Sequence, residues 1–156
     1  MPKFLTTEIM FKKILVPLDG STIAEAVLPY VQSLAHMGNG EVFLIEVVET
    51  IESYRYPFGV TLLEPIVHEV RAAANSYVQH VAATLSEHDI HTHAEVVDSN
   101  QVAAAILDYA SAKEIDLILM ATHGRSGFDR LTLGSVADKL VQRAKIPVML
   151  VRPDLP

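Results

Sequence analysis

The chain contains no cysteine. That excludes disulfides, thiolate nucleophiles and cysteine-based zinc sites, and it fits a reducing compartment. No apolar run approaches the roughly 20 residues of a membrane span. The first ten residues, MPKFLTTEIM, lack the apolar stretch of a signal peptide. Both absences point to a cytoplasmic protein with no direct membrane insertion. Positive charge is scarce: 12 Lys and Arg stand against 19 Asp and Glu, a net charge of -7. Lys139, Arg143 and Lys145 are only a thin basic scatter. An acidic chain without a basic patch repels nucleic acid, so none is expected as a partner. The Gly-Lys-Ser/Thr of a Walker A loop and the dinucleotide pattern G-x-G-x-x-G are both missing.

What remains is an ordinary soluble composition, half hydrophobic and 20% charged, in 156 residues, enough for one domain. Ile14-Leu15-Val16, stopping at Pro17 and Gly20, reads as a buried parallel strand. Thr22 with Glu25 forms a capping-box pattern. Ile23, Val27, Tyr30, Val31 and Leu34 then form one helix face, ended by Gly38 and Gly40. Pro29 inside that pattern predicts a kink or a late helix start. Val42–Val48 is the second strand. Residues 50–63 read as a loop with Tyr54, Tyr56, Pro57, Phe58 and Gly59, a lid or partner contact at most. Glu64-Pro65 opens a long helix with the face Ile66, Val70, Ala73, Tyr77, Val81 and Leu85. A third strand runs near His91–Val97. Asp98-Ser99-Asn100 caps a helix with the face Val102, Ile106, Tyr109 and Ala110. Asp116–Thr122 is the fourth strand, a further helix starts at Ser135, and Pro147–Arg152 is the fifth strand. Alternating strands and helices predict an α/β fold: an open parallel five-stranded sheet with helices on both faces.

Ligands of such sheets bind past the carboxyl ends of the strands, where neighbouring connections leave on opposite faces. Two segments are suited to that place. Asp19, just past the first strand, can hold a ribose hydroxyl or a Mg²⁺ bridging to phosphates, or it can bond nearby amides in the turn. Position alone leaves the two readings level. The run from Ala121 to Ser135 carries Gly124 and Gly134, where the missing Cβ lets backbone amides approach an anion. Ser135 opens a helix, and its hydroxyl suits either a cap or a phosphate. A glycine-bearing connection with a capped helix is the plainer alternative.

Together these segments make the chain resemble the universal stress protein family. Lys12-Lys13-Ile14-Leu15-Val16-Pro17-Leu18-Asp19-Gly20-Ser21 is similar to that family's opening strand and loop. Ala121, Gly124, Gly134 and Ser135 stand in the register of its G-x2-G-x9-G-[S/T] motif. Ile146–Arg152 is similar to its last strand. The resemblance covers residues 10–152. It implies a Rossmann-like domain over 10–153 (adenine nucleotide alpha hydrolase-like, strand order 3-2-1-4-5) after a short extension, residues 1–9. It implies ATP as ligand, with Mg²⁺. Pro17 and Leu18 would shape the adenine side, and Asp19 would meet the ribose or the metal. Val47 would contact adenine, and Met120 and Ala121 would line base and ribose. Gly124, Gly134, Ser135 and Val136 would hold the phosphates. Arg125 is read as either a phosphate contact or a surface charge. Two positions depart from the motif: Ala121 replaces its first glycine, tolerable if the backbone there stays extended, and Asp98-Ser99-Asn100 lacks a glycine.

The resemblance implies a regulatory or stress-response switch. The loop suits phosphates, but no residue arrangement suits fast hydrolysis, so ATP turnover is at most slow. A dimeric scaffold that binds no nucleotide is the competing reading. An adenylating ligase would need Ser-Gly-Gly-x-Asp-Ser after the first strand, and a receiver domain an acidic pair there; neither is present. The apolar strand Pro147–Val151, at the sheet edge as in the family, would pair with its copy in a homodimer, or in a tetramer built from it. His91 and His93 alternate so that both can face one side of a strand, but no third metal ligand is apparent. His123, next to Gly124 in the loop, can touch a phosphate or act as a general base; a loop histidine with only local backbone bonds is the plainer reading. The sequence names no protein partner.

Overall fold

The computed structural model describes residues 11–50, 64–123 and 133–152. The expectations on residues 1–9, on Tyr54–Gly59, on Gly124 and on Arg125 lie outside the described residues. Five strands, β1 (Lys13–Leu18), β2 (Glu41–Val48), β3 (Thr92–Asp98), β4 (Leu117–Ala121) and β5 (Val148–Val151), alternate with four helices. These are α1 (Leu28–Gly38), α2 (Glu64–Ser86), α3 (Val102–Ala112) and α4 (Ser135–Arg143). The strands pair in parallel in the order β3-β2-β1-β4-β5. Fold class and strand order are those expected.

The period-two alternation of a strand divides the core into two layers. Ile14, Val16 and Leu18 of β1 and Leu117 and Leu119 of β4 pack with Val27, Val31 and Ala35 of the α1 segment and Val81 and Leu85 of α2. Leu15, Phe43, Ile45 and Ile118 face the other way, onto Ile106, Tyr109 and Ala110 of α3 and Leu140 of α4. Side chains such as Ile14, Leu15, Ile118 and Leu119 are fully buried. Each contributes roughly 1.5–3 kcal/mol of burial. Helices α1 and α2 therefore cover one face, α3 and α4 the other. At the amino ends, the Asp116 carboxylate accepts from the amides of Lys12 and Lys13, each at 2.9 Å. This ties the start of β1 to the start of β4.

Four local expectations need correction. The segment after β1 does not enter an α-helix at Thr22. A 3-10 turn, Ala24–Val27, comes first, and α1 starts late with Pro29 in its first turn, where a missing N–H is harmless. Neither element has a side-chain cap at its N-cap residue; the Ser21 Oγ accepts from the Ala24 amide at 3.1 Å within the preceding turn. The apolar stripe expected along α2 is buried only in its C-terminal half. Ala74, Val78, Val81, Ala82 and Leu85 are the buried positions, while Ile66 and Val70 are 55% and 50% exposed. A helix of 23 residues is about 34 Å long, whereas the eight residues of β2 reach about 26 Å. The helix outruns the sheet. Asp98, Ser99 and Asn100 do not cap α3, whose N-cap is Gln101 without a side-chain bond. Asp98 pairs with Arg71 of α2 instead. Asn100 is bound to Thr50, accepting its amide at 3.0 Å and donating to its hydroxyl at 2.8 Å. Ser135 does not cap α4 either; Gly134 occupies that position.

The left-handed residue that closes α1 is Asn39, φ 46°, with a glycine before it for a steric reason. A Cβ on Gly38 would collide with the Phe11 carbonyl oxygen. Helical Gly→Ala changes ordinarily stabilise by about 1 kcal/mol. Gly38→Ala is expected to do the opposite, losing about 1–3 kcal/mol in urea unfolding because the backbone must shift. A stabilised variant would contradict this packing.

Candidate functional site

The order of the strands creates a gap at the carboxyl edge. The chain leaves β1 toward the face of α1 and leaves β4 toward the face of α4. No connection crosses between these two neighbouring strands, so a crevice opens there. It holds a cavity of about 220 Å³. Pro17, Leu18 and Asp19 line it from the end of β1, Val47 from β2, and Met120 and Ala121 from β4. Gly134, Ser135 and Val136 close it at the start of α4. Every described site residue expected from the sequence meets around this cavity. Gly124 and Arg125 lie outside the described residues.

At the β1 end, the Asp19 carboxylate organises the turn. Its Oδ1 accepts from the Ser21 amide at 3.0 Å and from the Ser21 hydroxyl at 2.6 Å. The turn reading of Asp19 is therefore correct as far as Oδ1 goes. The same carboxylate lines the cavity, so the two readings are compatible. The Asp19 charge also bears on the neighbouring cleft, which Glu46 and Tyr77 line. Burial pushes the Tyr77 phenol well above its ordinary range, reinforced by the charges of Glu25, Glu46 and Asp19.

At the opposite end, the backbone rather than a side chain sets the geometry. The Gly134 amide donates to the Thr122 carbonyl at 2.9 Å, and the Thr122 amide donates to the Val151 carbonyl at 2.8 Å. The start of α4 is thus bound to the end of β4, which is bound to β5. A Cβ on Gly134 would lie 3.0 Å from the Thr122 oxygen, so this glycine permits a close approach. Ser135 is the first residue of α4 and makes no capping bond. Ser135 lines the same cavity at the first turn of α4, the positive end of the helix dipole.

Ala121 stands in extended strand geometry, pairs with Val151, and is 4% exposed. It is not among the residues with positive φ, so no glycine is required there. Its methyl is part of the core under α1 and α2. The sequence reading missed Ala24, Val102, Ile106, Thr122 and Ala137, which also line the cavity. Val102 and Ile106 were legible only as an apolar helix face. That α3 begins at the carboxyl edge was the signal that would have added them. His123 lines the cavity too, with Nδ1 bonded to the Thr122 hydroxyl at 3.0 Å and not to backbone. Its Nε2 is buried and has no hydrogen-bond partner among the described residues.

Comparison with known proteins matches residues 10–152 to the universal stress protein family. A universal stress protein of Methanocaldococcus jannaschii is 30% identical over 147 residues, covering 93% of this chain and 84% of that relative. The solved structure of the protein MJ0577 of the same organism superposes with a TM-score of 0.82 at 23% identity, covering 95% of this chain and 100% of that one. A universal stress protein from Archaeoglobus fulgidus, solved in complex with dAMP, superposes with a TM-score of 0.64 at 16% identity, covering 92% and 100%. At such identities the structural likeness speaks to the fold.

The Ser21 hydroxyl joins Asp19 to the Ala24 amide. Ser21→Ala is expected to lower stability by about 1 kcal/mol, read as a reduced urea midpoint with an unchanged slope. An unchanged midpoint would show that the turn holds without this hydroxyl.

Proposed function

The chain belongs to the universal stress protein family, and we propose that its β1/β4 cavity binds an adenine nucleotide, ATP with Mg²⁺, and that binding sets a regulatory state. One observation carries this reading: three chemically distinct walls surround a single cavity. Leu18, Val47, Val102, Ile106 and Met120 form an apolar slot suited to a flat base. Asp19 stands on one side, and the open amides of α4 stand on the other. A base, a ribose or metal, and phosphates need these three surroundings. The cavity is smaller than the roughly 300 Å³ floor for whole drug-sized ligands. It therefore accepts the base, with the polar tail leaving toward Gly134, Ser135 and Val136. The Archaeoglobus fulgidus relative in complex with dAMP supports the same ligand class.

Mg²⁺ fits the donors present. It takes hard oxygen ligands and is ordinarily held by one or two carboxylates together with substrate phosphates and water. Asp19 supplies such a carboxylate at the cavity wall. The output we assign is conformational or oligomeric, with slow hydrolysis at most.

The regulatory reading includes a homodimer. β5 is an edge strand, and Val148, Met149 and Leu150 are only half-buried. Such an edge pairs readily with a copy of itself. Sedimentation at micromolar concentration is expected to give a dimer or a tetramer; a monomer would remove this part of the proposal.

Ser135→Asp separates binding from stability. A carboxylate in the first turn of α4 favours the helix by about 0.3–1 kcal/mol. The same charge opposes a phosphate about 4 Å away by several kcal/mol at an effective dielectric of 20. Calorimetric titration is expected to show micromolar binding of Mg-ATP by the parent, weaker binding without Mg²⁺, and at least a tenfold loss in Ser135→Asp with no loss of stability. A folded, nucleotide-free parent that binds no adenine nucleotide would favour the dimeric scaffold instead.

A further inference from the structure

Glu41, His91 and His93 meet at the amino end of the β2/β3 pair, the opposite edge from the cavity. Val42 pairs with Thr92 and Phe43 with His93, so Glu41 lies beside His91. The Val42 amide donates to the His91 carbonyl at 2.9 Å, which holds that register. Residues 91 and 93 are separated by two on an extended chain, so their side chains share a face. It is the face that carries Phe43 and α3.

The donor atoms are already gathered. Glu41 Oε2 lies 2.8 Å from His93 Nε2 and 3.5 Å from His91 Nδ1, and all three ligand atoms lie within 4.8 Å of one another. A tetrahedral zinc site with bonds of about 2.0–2.1 Å places its ligand atoms about 3.4 Å apart. The Glu41–His91 separation fits as it stands, and the others need only rotations about side-chain bonds. His93 stacks on Phe43 with ring centroids 4.4 Å apart and planes 18° from parallel, which fixes one ligand in advance. The ammonium of Lys13, the nearby cation from β1, is turned away to the Lys113 carbonyl at 3.0 Å and Glu114 at 4.0 Å. Lys113 in turn pairs with Glu95 at 3.0 Å.

We propose that Glu41, His91 and His93 form a binding site for a divalent transition cation of the zinc class, fastening the edge strand β3 to β2. Two imidazoles and one carboxylate suit zinc and its neighbours, whereas Mg²⁺ and Ca²⁺ prefer an all-oxygen shell. Three protein ligands leave a fourth position for water or for a donor from another molecule. His91 and the rim of the site are exposed, so the cation enters without opening the fold. The site is distinct from the nucleotide cavity, since Glu41 and Val47 lie about 20 Å apart along β2.

The test uses the full-length, untagged chain, stripped with chelator and dialysed, and Zn²⁺ alone as the probe. Calorimetry is expected to show one saturable equivalent at micromolar or lower Zn²⁺, with a rise in Tm. Loss of a partner that merely supports a ligand already costs about 10–100-fold in affinity. His91→Gln and His93→Gln are therefore each expected to lose at least about tenfold, while His68→Gln and His80→Gln change nothing. If the site variants fail to fold, the histidine ring nitrogens of the parent decide by NMR. Zn²⁺ is expected to shift Nδ1 of His91 and Nε2 of His93 and to leave His36, His68 and His80 in place. No saturable binding, binding that survives both site substitutions, or shifts confined to other histidines would overturn the proposal.

Discussion

Strands β1 and β4 pair side by side, Ile14 with Leu117 and Leu15 with Ile118, and the arrangement of the carboxyl edge depends on that pairing. A parallel neighbour has to be reached by a crossover, and right-handed crossovers running outward from β1 and from β4 must lie on opposite faces of the sheet. Helices α1 and α2 therefore cover one face and α3 and α4 the other. The crevice between them follows from topology, whatever side chains line it. The Asp116 carboxylate bonded to the amides of Lys12 and Lys13 secures the same pair at its amino end, so the two strand ends that flank the cavity keep a fixed spacing.

The line of bonds from Val151 to Thr122 to Gly134 extends that rigidity to the first turn of α4. The helix N-terminus that would meet an anion is held by backbone bonds to the sheet. On the β1 side, Asp19 both shapes its own turn through Ser21 and presents a carboxylate to the cavity. The cavity thus has an electrostatic direction: acidic at Asp19, positive at the start of α4. Magnesium complexes of nucleotides match such a direction better than free nucleotides do. The Glu41, His91 and His93 cluster lies at the other end of the strands, where the edge strand β3 has a neighbour on one side only.

The strands and the strand-end residues of the cavity were legible because short apolar runs end at strong signals such as Pro17 and Asp19; the sheet order came from the family resemblance, and Ala24, Val102, Ile106, Thr122 and Ala137 were not read as cavity residues. Strand boundaries agree within one or two residues for the same reason. Other features depended on partners distant in sequence. Thr22 and Glu25 have the spacing of a cap, but the helix starts late, with Pro29 in its first turn, one of the two outcomes expected there, and the Ser21 hydroxyl bonds only the Ala24 amide of the turn before it. Ile66 and Val70 continue the stripe of α2, but the sheet beneath is too short to bury them. Asn100 bonds to Thr50 rather than to α3. The third ligand beside His91 and His93 escaped notice because Glu41 is fifty residues away in sequence and adjacent only through strand register. Conversely, the departure at Ala121 was correctly read as compatible with an extended backbone.

The most direct test of the nucleotide reading is a map of backbone amide shifts as Mg-ATP is added to nucleotide-free protein. The account predicts saturable shifts at Leu18, Asp19, Val47, Ala121, Thr122 and Gly134 through Ala137, with Glu41, His91 and His93 unmoved. Shifts elsewhere on the surface, or none at millimolar Mg-ATP, would contradict it.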